Sequence, residues 1–210
     1  MSGVSYADTL PLLERFWHPI CLQKDTEKMG TVKVCRFLSR ELAVVRALSG
    51  KLFAVDNQCS HRGVSLEFGQ VGQNDIACPY HGWTFDVEGK CISRPFEGSS
   101  PRTCDIVGYP IEERYGLVFA YFGKGEPPVL PKFDVLDECG LSLIARYHRP
   151  IAANWLSLQD NAVDVSHTHF LHGQMNLRVT GHDRTGFYLN LKSFGFLPTD
   201  FGIVKSWSYQ

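Results

Sequence analysis

Two short stretches constrain this chain more than anything else in it: Cys59-Ser60-His61-Arg62-Gly63 and Cys78-Pro79-Tyr80-His81-Gly82-Trp83. Each offers one thiol and one imidazole, and sixteen residues, Arg62 to Ala77, separate the two pairs. A fold that uses all four groups must bring two loop tips together. Structural zinc sites usually draw on knuckles of one ligand type, two cysteines or two histidines. Here each loop is mixed. That suits a two-iron cluster in which Cys59 and Cys78 bind one iron and His61 and His81 the other. A zinc ion held by all four, or two unrelated Cys-His pairs, are the alternatives. Turn residues beside both pairs (Gly63; Pro79 and Gly82) weigh against unrelated pairs.

The rest of the composition sets bounds. At 210 residues the chain has room for one large domain or two small ones. Hydrophobic residues make up 44% and charged residues 20%, which is ordinary for a soluble globular protein. A formal net charge of −1 gives no electrostatic case for nucleic acid or an anionic membrane. Glu14, Arg15, His18, Lys24 and Asp25 interrupt the apolar groups near the N-terminus, so neither a signal peptide nor a membrane span is expected. Seven cysteines is an odd number without small-scaffold spacing. Cys21, Cys35, Cys91, Cys104 and Cys139 are expected as free thiols, many of them buried, which suits a reducing cytoplasm.

Local patterns predict mostly strands. A short helix is expected from Asp8, as N-cap, to Trp17, with Leu10, Leu13, Phe16 and Trp17 on one face and Pro19 stopping it. Val32–Phe37 and Leu42–Ala47 are apolar, β-branched runs. Ser49-Gly50 is a hairpin turn into Lys51–Val55, which delivers Cys59 on a loop. Ile76-Ala77 is a short strand delivering Cys78, and Glu88-Gly89 is a further turn. Pro127, Pro128 and Pro131 form a stiff break, and a domain boundary is expected near it. Beyond it, Ser142–His148 reads as a strand and Ala153–Leu171 as the best helical stretch. Phe187–Phe196 and Gly202–Tyr209 read as strands.

The Cys-x-His-Arg and Cys-Pro-Tyr-His-Gly-Trp stretches resemble the Rieske [2Fe–2S] motif as found in ring-hydroxylating Rieske non-haem iron oxygenases. The likeness runs from Phe16 to Gly123, through Leu52–Val55, Phe85–Lys90 and Tyr109–Phe119. Val64 and Tyr80 stand where the respiratory, high-potential Rieske proteins carry a disulfide, so the resemblance is to the disulfide-free, lower-potential type. It implies an antiparallel β-sandwich over 16–125, followed over 135–210 by the start of an α+β helix-grip catalytic domain.

The helical stretch holds Asp160-Asn161-Ala162-Val163-Asp164-Val165-Ser166-His167-Thr168-His169-Phe170-Leu171-His172. On a regular helix His167 and His172 point about 140° apart, so a bulged or terminating helix would be needed to converge them. By itself the stretch could equally be an amphipathic helix with a few polar histidines. Beside the Rieske motif it resembles the iron-binding helix of the same oxygenases. That likeness implies His167 and His172 as two ligands of a facial triad for mononuclear Fe(II). It implies Asp164 as the bridge to the Rieske histidine of a neighbouring subunit, and Asn161 as a polar residue near the site. His169 has no implied role, and Asn154-Trp155 is expected to be structural. The spacing of Asn161 and Asp164 resembles the vanillate demethylase, dicamba monooxygenase and phthalate dioxygenase branch, whose members form homotrimers.

The third iron ligand in that family is a carboxylate far downstream. Here thirty-eight residues follow His172, and their carboxylates are Asp183 and Asp200. The chain is therefore expected to be a truncated form of a longer oxygenase. As a terminal oxygenase it would take electrons from NAD(P)H through a flavin/iron–sulfur reductase or a ferredoxin. It would use O2 to hydroxylate or demethylate an organic substrate, expected to be aromatic. The alternative is a Rieske electron-transfer protein without oxygenase activity.

Overall fold

The computed structural model describes residues 6–37, 39–96, 104–132, 151–164, 167, 191–199 and 202–209. The chain divides into two units, Met1–Tyr147 and His148–Gln210. The first opens with helix α1 (Tyr6–Leu13) and continues through strands β1 (Trp17–Leu22), β2 (Thr31–Phe37), β3 (Arg40–Arg46), β4 (Leu52–Asp56), β5 (Gln70–Val71), β6 (Asp75–Ala77), β7 (Thr84–Asp86), β8 (Cys91–Ser93), β9 (Gly108–Tyr109), β10 (Ile111–Arg114) and β11 (Leu117–Tyr121). The second holds helix α2 (Trp155–Val163) and strands β12 (Leu191–Thr199) and β13 (Gly202–Tyr209). Every strand pairing among the described residues is antiparallel.

The first unit has three sheets, ordered β1-β11-β10, β2-β3-β4-β9 and β5-β6-β7-β8. The middle one is the foundation. Side chains alternate across a strand, and β3 is buried on both faces. Ala43 and Val45 join Phe53, Val55, Leu66, Ile76 and Phe85 in one core. Leu42 and Val44 join Ala54, Val118, Ala120 and Phe122 in another. This double burial explains why Leu42-Ala43-Val44-Val45 is continuously apolar rather than alternating. Arg46 ends β3 and ties it to β10. Its guanidinium donates to both Glu113 carboxylate oxygens, at 2.5 and 3.2 Å, and to the Thr26 carbonyl at 2.8 Å.

The meander β2-β3-β4 and the short strand β6 follow the sequence expectation. The N-terminal helix does not. It spans Tyr6–Leu13, so Asp8 lies inside it, and Trp17 belongs to β1. Trp17 pairs with Tyr121, their ring centroids 5.7 Å apart, and its indole donates to the Pro128 carbonyl at 2.7 Å. Pro19 breaks no helix. It sits at a register shift in β1, an edge strand, where its missing N–H costs no ladder bond. Long-range pairing with β11 outweighs the local helical pattern here.

In the second unit, β12 and β13 form a two-stranded ribbon. Asn154 caps α2, its side-chain oxygen accepting from the Leu156 N–H at 2.9 Å. The expected Ala153–Leu171 helix is shorter than its pattern. It ends at Val163, with Asp164 extended at φ −71°, ψ 115°. The expected strand over Ser142–His148, and residues 187–190 of the strand expected over Phe187–Phe196, lie outside the described residues. Among the described residues no helix is long and apolar enough to cross a membrane.

Candidate functional site

The two Cys-His loops close with the same backbone geometry. The Cys59 N–H donates to Val64 O at 2.9 Å, and the Gly63 N–H returns to Cys59 O at 2.8 Å. The Cys78 N–H donates to Trp83 O at 2.7 Å, and the Gly82 N–H returns to Cys78 O at 3.0 Å. Each ring needs its fifth residue in the left-handed region, and glycine supplies it, with φ +69° at Gly63 and +73° at Gly82. The Cys-to-Gly spacing is thus a backbone requirement. The imidazole stands two residues after the cysteine in one loop and three after it in the other.

The closures point the thiols inward and the rings outward. Cys59 and Cys78 are buried in the core shared with Phe85, Leu66 and Ile76. His61 is half-buried and His81 exposed, with ring centroids 4.7 Å apart. Trp83 lies nearly parallel to His61, 4.5 Å away and 5° from coplanar, while Tyr80 covers His81 at 3.8 Å. Burial, with the Cys78 thiol beside it, pushes the Cys59 thiol up to about 11. Backbone N–H groups of His61 and Arg62 at that sulfur act the other way, favouring thiolate.

These donors fit a two-iron cluster. Two adjacent thiols and two adjacent imidazoles come as separate pairs, and each iron of such a cluster takes one pair. Among the described residues no three His, Cys, Asp or Glu side chains are grouped to hold a single ion. The Trp83 indole N–H is buried without an acceptor among the described residues. Such an N–H costs about 1–3 kcal/mol if it stays unpaired, so a group with sulfur acceptors beside His61 would relieve it.

Residues without an obvious signal in the sequence hold the loops in place. Buried Asn57 accepts the Leu66 N–H on its carbonyl at 2.7 Å and donates from its side chain to Glu41 at 3.3 Å. Ser65 Oγ donates to Asn57 Oδ1 at 3.2 Å. The Ser60 hydroxyl, between Cys59 and His61, donates to the Cys104 carbonyl. Pro95 lies under the second loop, where a Cβ at Gly82 would meet it at 3.2 Å. In the sequence Asn57 and Ser60 look like ordinary turn residues, and Pro95 and Cys104 are remote.

In the second unit Asn161 lies exposed in the last turn of α2. Asp164 terminates that helix, and its Oδ1 accepts the His167 N–H at 3.3 Å. Asp164 Oδ2 lies 3.4 Å from His167 Nδ1. His172, like His169, Asp183 and Asp200, lies outside the described residues.

Residues 16–110 match the Rieske [2Fe-2S] domain family. The oxygenase subunit of tert-butanol monooxygenase / tert-amyl alcohol desaturase from Aquincola tertiaricarbonis is 38% identical over 81% of this chain and 36% of its own length. The chain belongs to the Rieske non-haem iron oxygenase family. Methylxanthine demethylase NdmA of Pseudomonas putida CBB5, solved with caffeine, superposes with a TM-score of 0.66 at 28% identity, over 76% of this chain and 48% of that one. A carbazole 1,9a-dioxygenase oxygenase solved with its ferredoxin shares 32% identity over 55% of this chain and 30% of that one, with a TM-score of 0.50. This Rieske chain spans 36% to 43% of the length of the first curated relatives it matches.

Proposed function

We propose that this chain is the cluster-bearing part of a terminal oxygenase. Cys59 and Cys78 ligate one iron of the [2Fe–2S] cluster, and His61 and His81 ligate the other. The matched loop closures, with thiols adjacent inside and imidazoles adjacent outside, carry this reading. When bound, the cluster supplies one-electron transfer. The chain supplies the rest. The buried cysteines keep water from the sulfur side, backbone N–H groups at the Cys59 sulfur favour its charged form, and the exposed His81 leaves one edge open to a donor or acceptor. Residues 16–125 form this domain.

Residues 135–210 open the catalytic domain. His167 and His172 are its first two Fe(II) ligands, the iron serving O2 activation, and Asn161 lies near the site. Asp164 holds the His167 ring through its second carboxylate oxygen and provides the link to the cluster of a neighbouring subunit in a homotrimer. Electrons come from NAD(P)H through a flavin/iron–sulfur reductase or a ferredoxin, as the carbazole enzyme's ferredoxin complex supports for its own kind. The relatives' names span an alcohol, a purine and a carbazole, so the substrate is assigned only as a small organic molecule, aromatic by preference. The free thiols suit a cytoplasmic location.

The test is iron and acid-labile sulfide per chain, on protein purified without oxygen. Two sulfides with at least two irons and a red-brown colour support the cluster; a colourless, sulfide-free zinc protein overturns it. A third iron, lost in His167→Ala while the cluster spectrum persists, supports the mononuclear site. No third iron restricts this chain to electron carriage.

A further inference from the structure

A second pair of thiols lies behind the two loops. Gly89 and Ile106 face each other, the Ile106 N–H donating to Gly89 O at 2.9 Å. Cys91 lies two residues beyond Gly89 and Cys104 two residues before Ile106, so this contact brings the two cysteine-bearing segments near each other. The Cys91 N–H donates to Asp105 Oδ1 at 2.9 Å, which holds the two segments together there. The Cys104 thiol lies close enough to Cys91 to act on it. Cys91 is partly exposed and Cys104 buried.

We propose that Cys91 and Cys104 form a reversible disulfide that latches the backbone supporting both cluster loops. Pro95, four residues after Cys91, packs under Gly82 of the second loop. The Cys104 carbonyl holds Ser60 of the first. A covalent link between positions 91 and 104 therefore fixes both supports at once. The oxidant is a low-molecular-weight disulfide such as oxidised glutathione. The Cys91 thiolate attacks one of its sulfurs, forming a mixed disulfide and releasing one glutathione. Cys104 then attacks the Cys91 sulfur and displaces the second glutathione. Both thiol protons end on the two glutathiones, and two electrons leave the pair. Burial and the adjacent Cys104 thiol hold Cys91 largely protonated, with Arg94 opposing them, so its attack on the oxidant is slow.

Cys21 and Cys35 provide an internal control. They too are partnered thiols, but both are buried in the core on the other side of the central sheet. The test incubates the red holoprotein with oxidised glutathione, blocks free thiols by alkylation and maps peptides by mass spectrometry. The expected result is a Cys91–Cys104 linked peptide, two glutathiones released per chain and no Cys21–Cys35 link, with full reversal by dithiothreitol. The cluster absorbance of the linked form should fade severalfold more slowly in chelator than that of the reduced form. A mixed disulfide at Cys91 that never resolves, a Cys21–Cys35 link forming first, or no linkage overturns the proposal, and equal fading rates overturn the latch. Cys91→Ser and Cys104→Ala should each abolish the linked peptide while leaving the protein red. The linked peptide and the released glutathione are read without reference to the cluster, whereas the fading rate rests on the cluster reading, which is tested separately by iron and sulfide.

Discussion

At the scale of single residues, Trp83 shows what a cofactor site asks of the chain. Its ring stacks on His61 while its N–H is buried without an acceptor among the described residues. A donor to cluster sulfur stabilises the more negative, reduced state and so raises the potential. Trp83→Phe keeps the ring and removes the N–H. The variant should stay red, and protein-film voltammetry should place its midpoint potential below that of the parent. An unchanged potential would assign Trp83 to packing alone. Gly89 is a different case, in which space itself is the requirement. It sits at φ +81°, and a Cβ there would come within 2.3 Å of the Ile106 carbonyl oxygen. Gly89→Ala should lower stability by more than about 1 kcal/mol in denaturant unfolding.

Between elements, a polar network joins β4 to β9 and to the edge of β3. The buried Tyr109 hydroxyl donates to Asp56 Oδ1 at 2.5 Å, and the Arg40 guanidinium lies 5.9 Å from the centre of its ring. Burial first, then the Asp56 carboxylate, push the phenol from 10.0 up to about 12 against the pull of Arg40. The folded state thus holds this proton more tightly than the unfolded chain does. Its contribution to stability is complete below about pH 10 and is lost as pH rises toward 12. Melting temperature should therefore fall between those values, and less steeply in Tyr109→Phe than in the parent. In the second unit, Asp164 ends the predicted helix early. Its extended backbone ends α2, and its side chain accepts the His167 N–H as an N-cap would. The helical period continues through this point, so the pattern of apolar residues gave no sign of the break.

For the whole molecule, the division at Tyr147/His148 places both Cys-His loops, and both cores beneath them, in the first unit. A chain ending at Tyr147 should fold, bind about two irons with two sulfides, and show the absorbance of the 210-residue protein. Loss of the cluster on truncation would mean that the second unit supports the loops. The order of the three sheets was not predicted, because the sequence marks strands but not which of them lie back to back. Nothing in Cys21 or Cys35 announces that they face each other from β1 and β2. Nothing local announces that Arg46 reaches Glu113, sixty-seven residues away.

The sequence by itself determined the chemistry at the two loops. Thiol, imidazole and glycine at those spacings leave few backbone solutions, and Gly63 and Gly82 stand where left-handed residues are required. It also determined the meander before the first loop, because apolar, β-branched runs and turn residues are local signals. Tertiary structure decided what depends on distant partners. Trp17 and Pro19 became a strand because β11 offers them a ladder. Asn57, Ser60, Pro95 and Cys104 became supports of the loops because folding brings them there. Local propensity is written residue by residue, but pairing and burial are properties of two segments at once, and a single sequence names only one of them at a time.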